Sequence, residues 1–111
     1  MKLVKEKEDK VMKKIVLLCS VGYSTSLLMS KMRETAKQLN YECEIDAYPM
    51  AEAPKVIPDA DIVLIGPQVR FEEKRLKNSF SDKVIEVIDS RMYGTMDGEG
   101  VMKSVIKKLN K

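Results

Sequence analysis

The residues best able to do chemistry lie in one run, Cys19-Ser20-Val21-Gly22-Tyr23-Ser24-Thr25-Ser26. A thiol stands where an apolar segment ends, and a loop of mostly small and hydroxylated residues follows it. Successive backbone N–H groups in such a loop can form a concave nest, and the positive end of a following helix adds to its field. The hydroxyls of Ser24, Thr25 and Ser26 are further donors. The arrangement suits a tetrahedral phosphoryl group held without metal. The same field favours thiolate over thiol, which makes Cys19 a candidate nucleophile. A lone cysteine closing a strand is usually just a small buried hydrophobe; the glycine and hydroxyl cluster behind Cys19 is what points to chemistry.

Composition removes the alternatives. The chain has no histidine, so His-ligated metal, Ser-His or Cys-His catalysis, and a phosphohistidine on this chain are excluded. No metal and no cofactor are expected. The second cysteine, Cys43, shares the apolar parity of an alternating segment with Tyr41 and Ile45 and is assigned to packing. The two cysteines do not form a C-x-x-C pair and the first residues do not read as a signal peptide, so free thiols in a reducing cytoplasm are expected. Lys and Arg number 20 against 17 Asp and Glu, a scattered excess too mild for nucleic-acid binding. The longest apolar runs, at Ile15 to Cys19 and Ile62 to Ile65, fall far short of the roughly 20 residues of a membrane span.

The elements that must position Cys19 follow from patterning. With 111 residues, 44% of them hydrophobic, one domain is expected. Residues 1–13 are mostly Lys and Glu and read as a charged N-terminal extension; residues 14–111 read as the domain. Ile15-Val16-Leu17-Leu18 and Ile62-Val63-Leu64-Ile65 are continuous apolar runs, as in strands buried on both faces. Tyr41 to Ala47 alternates apolar and polar residues and predicts an edge strand; Lys83 to Ile88 predicts a fourth strand. Leu27, Leu28, Met32, Ala36 and Leu39 have helical spacing, with Asn40 as the stop. A short Pro-interrupted helix or loop is expected at Met50 to Ile57, a charged helix at Val69 to Phe80, and a closing helix at Gly98 to Asn110 with Asp97 as N-cap.

Strands alternating with helices predict an α/β fold with right-handed crossovers and helices on both faces of an open parallel sheet. The economical strand order is 2-1-3-4, a flavodoxin-like layout in which ligands bind where the winding reverses, between the first and third strands. Cys19, its loop and Gly66-Pro67-Gln68 then share one crevice. Gln68 either reaches the loop or finishes a turn, and Tyr23 either faces a partner or packs back on the domain.

The Cys19-Ser20-x-Gly22-x-Ser24-Thr25-Ser26 loop, taken with Gly66-Pro67-Gln68, Ile88-Asp89-Ser90, Tyr93-Gly94 and Asp97-Gly98, resembles the lactose/cellobiose-type enzyme IIB of the bacterial phosphoenolpyruvate-dependent sugar phosphotransferase system. The resemblance covers Lys14 to Lys111. It implies a cytoplasmic phosphocarrier in which Cys19 accepts a phosphoryl group from a phosphohistidine of enzyme IIA. Cys19 then passes it to a sugar, of the cellobiose or lactose β-glycoside type, bound by membrane enzyme IIC. The residues from Ser20 through Val21, Gly22, Tyr23, Ser24 and Thr25 to Ser26 form the implied phosphoryl-binding loop. Tyr23 and Gln68 are the accessory or partner-contact positions.

Two rivals come from other classes. A low-molecular-weight tyrosine-phosphatase-like hydrolase also places a nucleophilic cysteine between the first strand and helix, but its C-x5-R signature needs arginine where this chain has Thr25. A flavodoxin-like binding module is permitted by the layout. Aromatic residues make up 5% with no Trp, leaving mainly Tyr23 and Tyr93 to stack on a flavin.

Overall fold

The apolar run after Lys14 sends alternate side chains to opposite faces, and both faces are covered. In the computed structural model, residues 12–19 and 23–110 are described, the side chains of Tyr23 and Ser24 excepted; most of the charged extension falls outside this set. Strand β1 spans Lys13–Cys19, β2 Cys43–Pro49, β3 Ile62–Ile65 and β4 Val84–Val87. The four form one sheet in the order β2-β1-β3-β4, with every pairing parallel. This is the α/β architecture and strand order expected from the sequence.

Among the described residues, three α-helices join the strands, α1 Tyr23–Gln38, α2 Ala53–Val56 and α3 Glu73–Ser79, and two follow β4, α4 Ser90–Gly94 and α5 Gly98–Leu109. On one face, Ile15 and Leu17 pack with Leu28, Met32 and Ala36 of α1 and Val101, Met102 and Val105 of α5. On the other, Val16 and Leu18 pack with Ala53 of α2, Ile57 and Leu76 of α3. The period of two along β1 therefore divides the core into two layers. Asp61 extends the pairing of β1 with β3: its carboxylate accepts from the Lys14 amide at 2.8 Å and its own amide donates to the Lys14 carbonyl.

Boundaries moved where local pattern was weak. The first helix begins at Tyr23, four residues before the apolar spacing starts, and Asn40 ends it in the left-handed conformation with φ 56°. β2 runs two residues later than the alternation suggested. Parity is unchanged by a shift of two, so only the register against β1, with Lys13 opposite Cys43 and Cys19 opposite Pro49, sets its ends. The single helix expected over Val69 to Phe80 divides: Pro67–Glu72 is 3-10 with a non-helical Val69, and α3 is the α-helical remainder. Helix α4 was not expected. Asp89 caps it, accepting from the amides of Arg91 at 2.8 Å and Met92 at 3.1 Å.

Candidate functional site

β1 delivers Cys19 to the carboxyl end of the sheet. There the Gly66 amide donates to the Leu18 carbonyl at 2.9 Å, carrying the pairing of β1 with β3 one step past the end of β3. Gly66 is buried against Cys19. A Cβ at position 66 would lie 3.4 Å from the Cys19 Cβ and 2.7 Å from the Gln68 side-chain oxygen. Gln68 thus finishes a turn, in which the Val69 amide donates to the Gly66 carbonyl at 3.0 Å, and also folds its amide back over Gly66.

Of the loop residues, Ser20, Val21 and Gly22 lie outside the described set. The backbone of Tyr23 and Ser24 opens α1, Ser26 is exposed in its first turn, and that turn contains no acidic residue to oppose an anion. Thr25 is only 1% exposed. Its hydroxyl donates to Cys19 Sγ at 3.1 Å, and the Tyr93 phenol lies 3.4 Å from the same Thr25 oxygen. Cys19 itself is 4% exposed, so the sulfur is recessed. Thr25, expected to face a phosphoryl oxygen, here supports the sulfur.

Tyr93 is the residue that sequence reasoning did not place in the site. Helix α4 carries it, and its ring is buried in the core layer shared by α1 and α5. The available signal was Asp89 with the following Ser90-Arg91-Met92, a capping pattern that would have suggested a short helix there. Cys43 sits half-buried at the opposite end of the β1–β2 pair, six register positions from Cys19, or roughly 20 Å along the strands. A Cys19–Cys43 disulfide is geometrically impossible in this fold. Burial pushes the Cys43 thiol up from its ordinary value, with the Glu42 carboxylate adding to the shift. A cleft of about 280 Å³ lined by Arg33, Lys37, Asn40, Tyr41 and Cys43 lies at that far end and has no contact with Cys19. Among the described residues, no helix is long and apolar enough to cross a membrane.

Residues 14–104 match the family described as the PTS system, lactose/cellobiose-specific IIB subunit. The chain belongs to this IIB family. It is 46% identical over 90 residues to the oligo-beta-mannoside-specific EIIB component of Bacillus subtilis, a match covering 79% of this chain and 87% of that protein. It is 34% identical over 109 residues to the galactose-specific EIIB component of Lactococcus lactis, covering 92% and 98% of the two chains. The solution structure of the cellobiose-specific phosphotransferase IIB component from Borrelia burgdorferi superposes with a TM-score of 0.74 at 36% identity, covering 89% of this chain and 93% of that one. Like its IIB relatives, the chain is a phosphotransferase component of a sugar phosphotransferase system, and the phosphatase and flavodoxin-like alternatives are set aside.

Proposed function

We propose that Cys19 is the covalent phosphoryl carrier of this IIB protein. The observation that carries the reading is the 3.1 Å hydrogen bond from Thr25 to the sulfur, made at the end of β1 and the start of α1. A hydroxyl aimed at the sulfur supplies a hydrogen-bond donor to the atom that would bear negative charge as it attacks phosphorus and as it leaves.

In the first step the Cys19 thiolate attacks phosphorus of a phosphohistidine on enzyme IIA. The S–P bond forms, the P–N bond breaks, and the electron pair returns to the imidazole nitrogen. In the second, a sugar hydroxyl oxygen attacks phosphorus in enzyme IIC; the P–S bond breaks, its electron pair returns to sulfur, and the hydroxyl proton is released. Such displacements need in-line positioning and charge stabilisation more than additional covalent chemistry. The backbone amides of Ser20 to Ser26 and the hydroxyls of Ser24 and Ser26 serve the three equatorial oxygens. Thr25 stands where a C-x5-R loop has its arginine, and a site without that grip favours passing the group on.

The setting is the cytoplasm, with IIA and IIC as partners. Leu27 and Phe71, 51% and 74% exposed, leave the carboxyl ends of β1 and β3 and offer apolar contact to them. The sugar is a β-glycoside; its selection belongs to IIC, consistent with IIB relatives that are named for different sugars. Because the sulfur is recessed, acceptance requires an opening of its surroundings, and reclosure would shield the S–P bond from water.

Mass spectrometry after incubation with the upstream phosphotransferase proteins and phosphoenolpyruvate tests this directly. The phosphoryl group is expected on Cys19, and Cys19→Ser is expected to fold but accept none, since a serine hydroxyl ionises far less readily. Acceptance by Cys19→Ser at a similar rate, or robust hydrolysis of an aryl phosphate, would overturn the proposal.

A further inference from the structure

We infer that Tyr93 is a positioning residue for the Cys19 sulfur, acting through Thr25. The inference rests on the reading of Cys19 as the nucleophile and adds a residue 68 positions distant in sequence from the loop contact it supports. Thr25 has one hydroxyl proton and two lone pairs. A thiolate has no proton and can only accept, so when sulfur is anionic the Thr25 proton points to it. The Thr25 oxygen is then left as an acceptor, and the Tyr93 phenol supplies the proton it takes. The chain runs from Tyr93 O–H to Thr25 O–H to sulfur, each bond polarising the next.

When sulfur carries its own proton, the chain no longer has a single favoured direction. The phenol therefore acts on the charged form of the sulfur, both as it attacks phosphorus and as it leaves.

The surroundings hold this chain in place. Thr25, Cys19 and Tyr93 are 1%, 4% and 8% exposed, so water competes little for the hydroxyls. The Tyr93 amide donates to the Asp89 carbonyl at 2.9 Å, while the Asp89 side chain caps the same helix. At the other end of α4, the Met96 amide donates to the Tyr93 carbonyl at 3.1 Å and Met96 turns the chain with φ 55°. The phenol is thus placed from β4 and α4, independently of the loop that follows Cys19.

The test is the rate of Cys19 alkylation by iodoacetamide in a Cys43→Ala background, which reads sulfur reactivity whether or not phosphate ever reaches it. Tyr93→Phe is expected to slow alkylation by about 5-fold, the equivalent of one lost hydrogen bond. Thr25→Val should slow it at least as much, Thr25→Ser should retain the parent rate, and Tyr93→Phe added to Thr25→Val should change nothing further. A second readout needs no change at Tyr93: alkylating Cys19 should perturb the ultraviolet spectrum of a buried tyrosine in the parent protein but not in Thr25→Val. An unchanged rate in Tyr93→Phe, independent multiplicative losses in the double variant, or a tyrosine signal indifferent to Thr25 would overturn the inference. If the alkylation pattern holds while no phosphoryl group is found on Cys19, the functional reading fails and the hydroxyl chain stands.

Discussion

Thr25 lies six residues after Cys19 and donates its hydroxyl to the Cys19 sulfur at 3.1 Å from the first turn of α1. This is the position that a C-x5-R phosphatase loop gives to arginine. A guanidinium there would grip two phosphoryl oxygens; a buried threonine reaches the sulfur instead. Under the carrier role proposed for Cys19, this difference at a fixed spacing puts the stabilising contact on the sulfur rather than on the phosphoryl group, as suits a site that receives a group and releases it to a second acceptor.

The helix that carries Tyr93 depends on its cap. Asp89→Ala removes the acceptor for the Arg91 and Met92 amides. The expected loss is about 1 kcal/mol of stability, visible as a lowered midpoint in urea. If α4 positions the phenol as inferred, Cys19 alkylation should slow along with it, whereas Asp89→Asn should keep most of both.

Helices α1 and α5 meet at a glycine. A Cβ on Gly98 would sit 2.5 Å from the Lys31 Cβ, 2.7 Å from its carbonyl carbon and 2.8 Å from the Met32 amide nitrogen. Because two of these atoms are backbone, a side-chain rotation cannot relieve the overlap. Gly98→Ala is expected to cost about 2 kcal/mol, measured by denaturant unfolding, despite the better helix propensity of alanine.

The far end of β1 and β2 makes stability sensitive to alkali. The Tyr41 hydroxyl is buried with no hydrogen-bond partner among the described residues. Burial, then the charges of Cys43 and Asp61, push its phenol above 10.0; burial and then Glu42 push the Cys43 thiol above 9.0. Both groups hold their protons more tightly folded than unfolded, so above about pH 9 the unfolded chain binds fewer protons and stability falls as pH rises. Tyr41→Phe should raise neutral-pH stability by about 1 kcal/mol by removing the unsatisfied hydroxyl, and should flatten the alkaline decline. Thermal midpoints measured from pH 7 to about pH 10.5 would check both.

How much of this was legible depends on the range of each interaction. Ile15 to Leu18 and Ile62 to Ile65 announce doubly covered strands because short, continuously apolar runs rich in Ile and Val suit a strand buried on both faces. Asp97 announces α5 because its carboxylate needs only the Gly100 amide three residues on, which it meets at 2.9 Å. Val69 to Phe80 misleads because its charged periodicity continues through a stretch that Pro67 and the backbone of Val69 turn into 3-10 geometry. Tyr93 is harder still, since nothing near it in sequence names Thr25 as its partner.

The parallel sheet, its strand order, the family, and the place of Cys19 at the carboxyl end of an inner strand were all readable from the residues, because they rest on short motifs and on the few ways alternating strands and helices can pack. That Thr25 faces the sulfur and that Tyr93 stands behind Thr25 emerged from the packed fold alone. Those relationships depend on side chains meeting across separately folded elements, where strand register and helix packing set the distances and no local pattern records them.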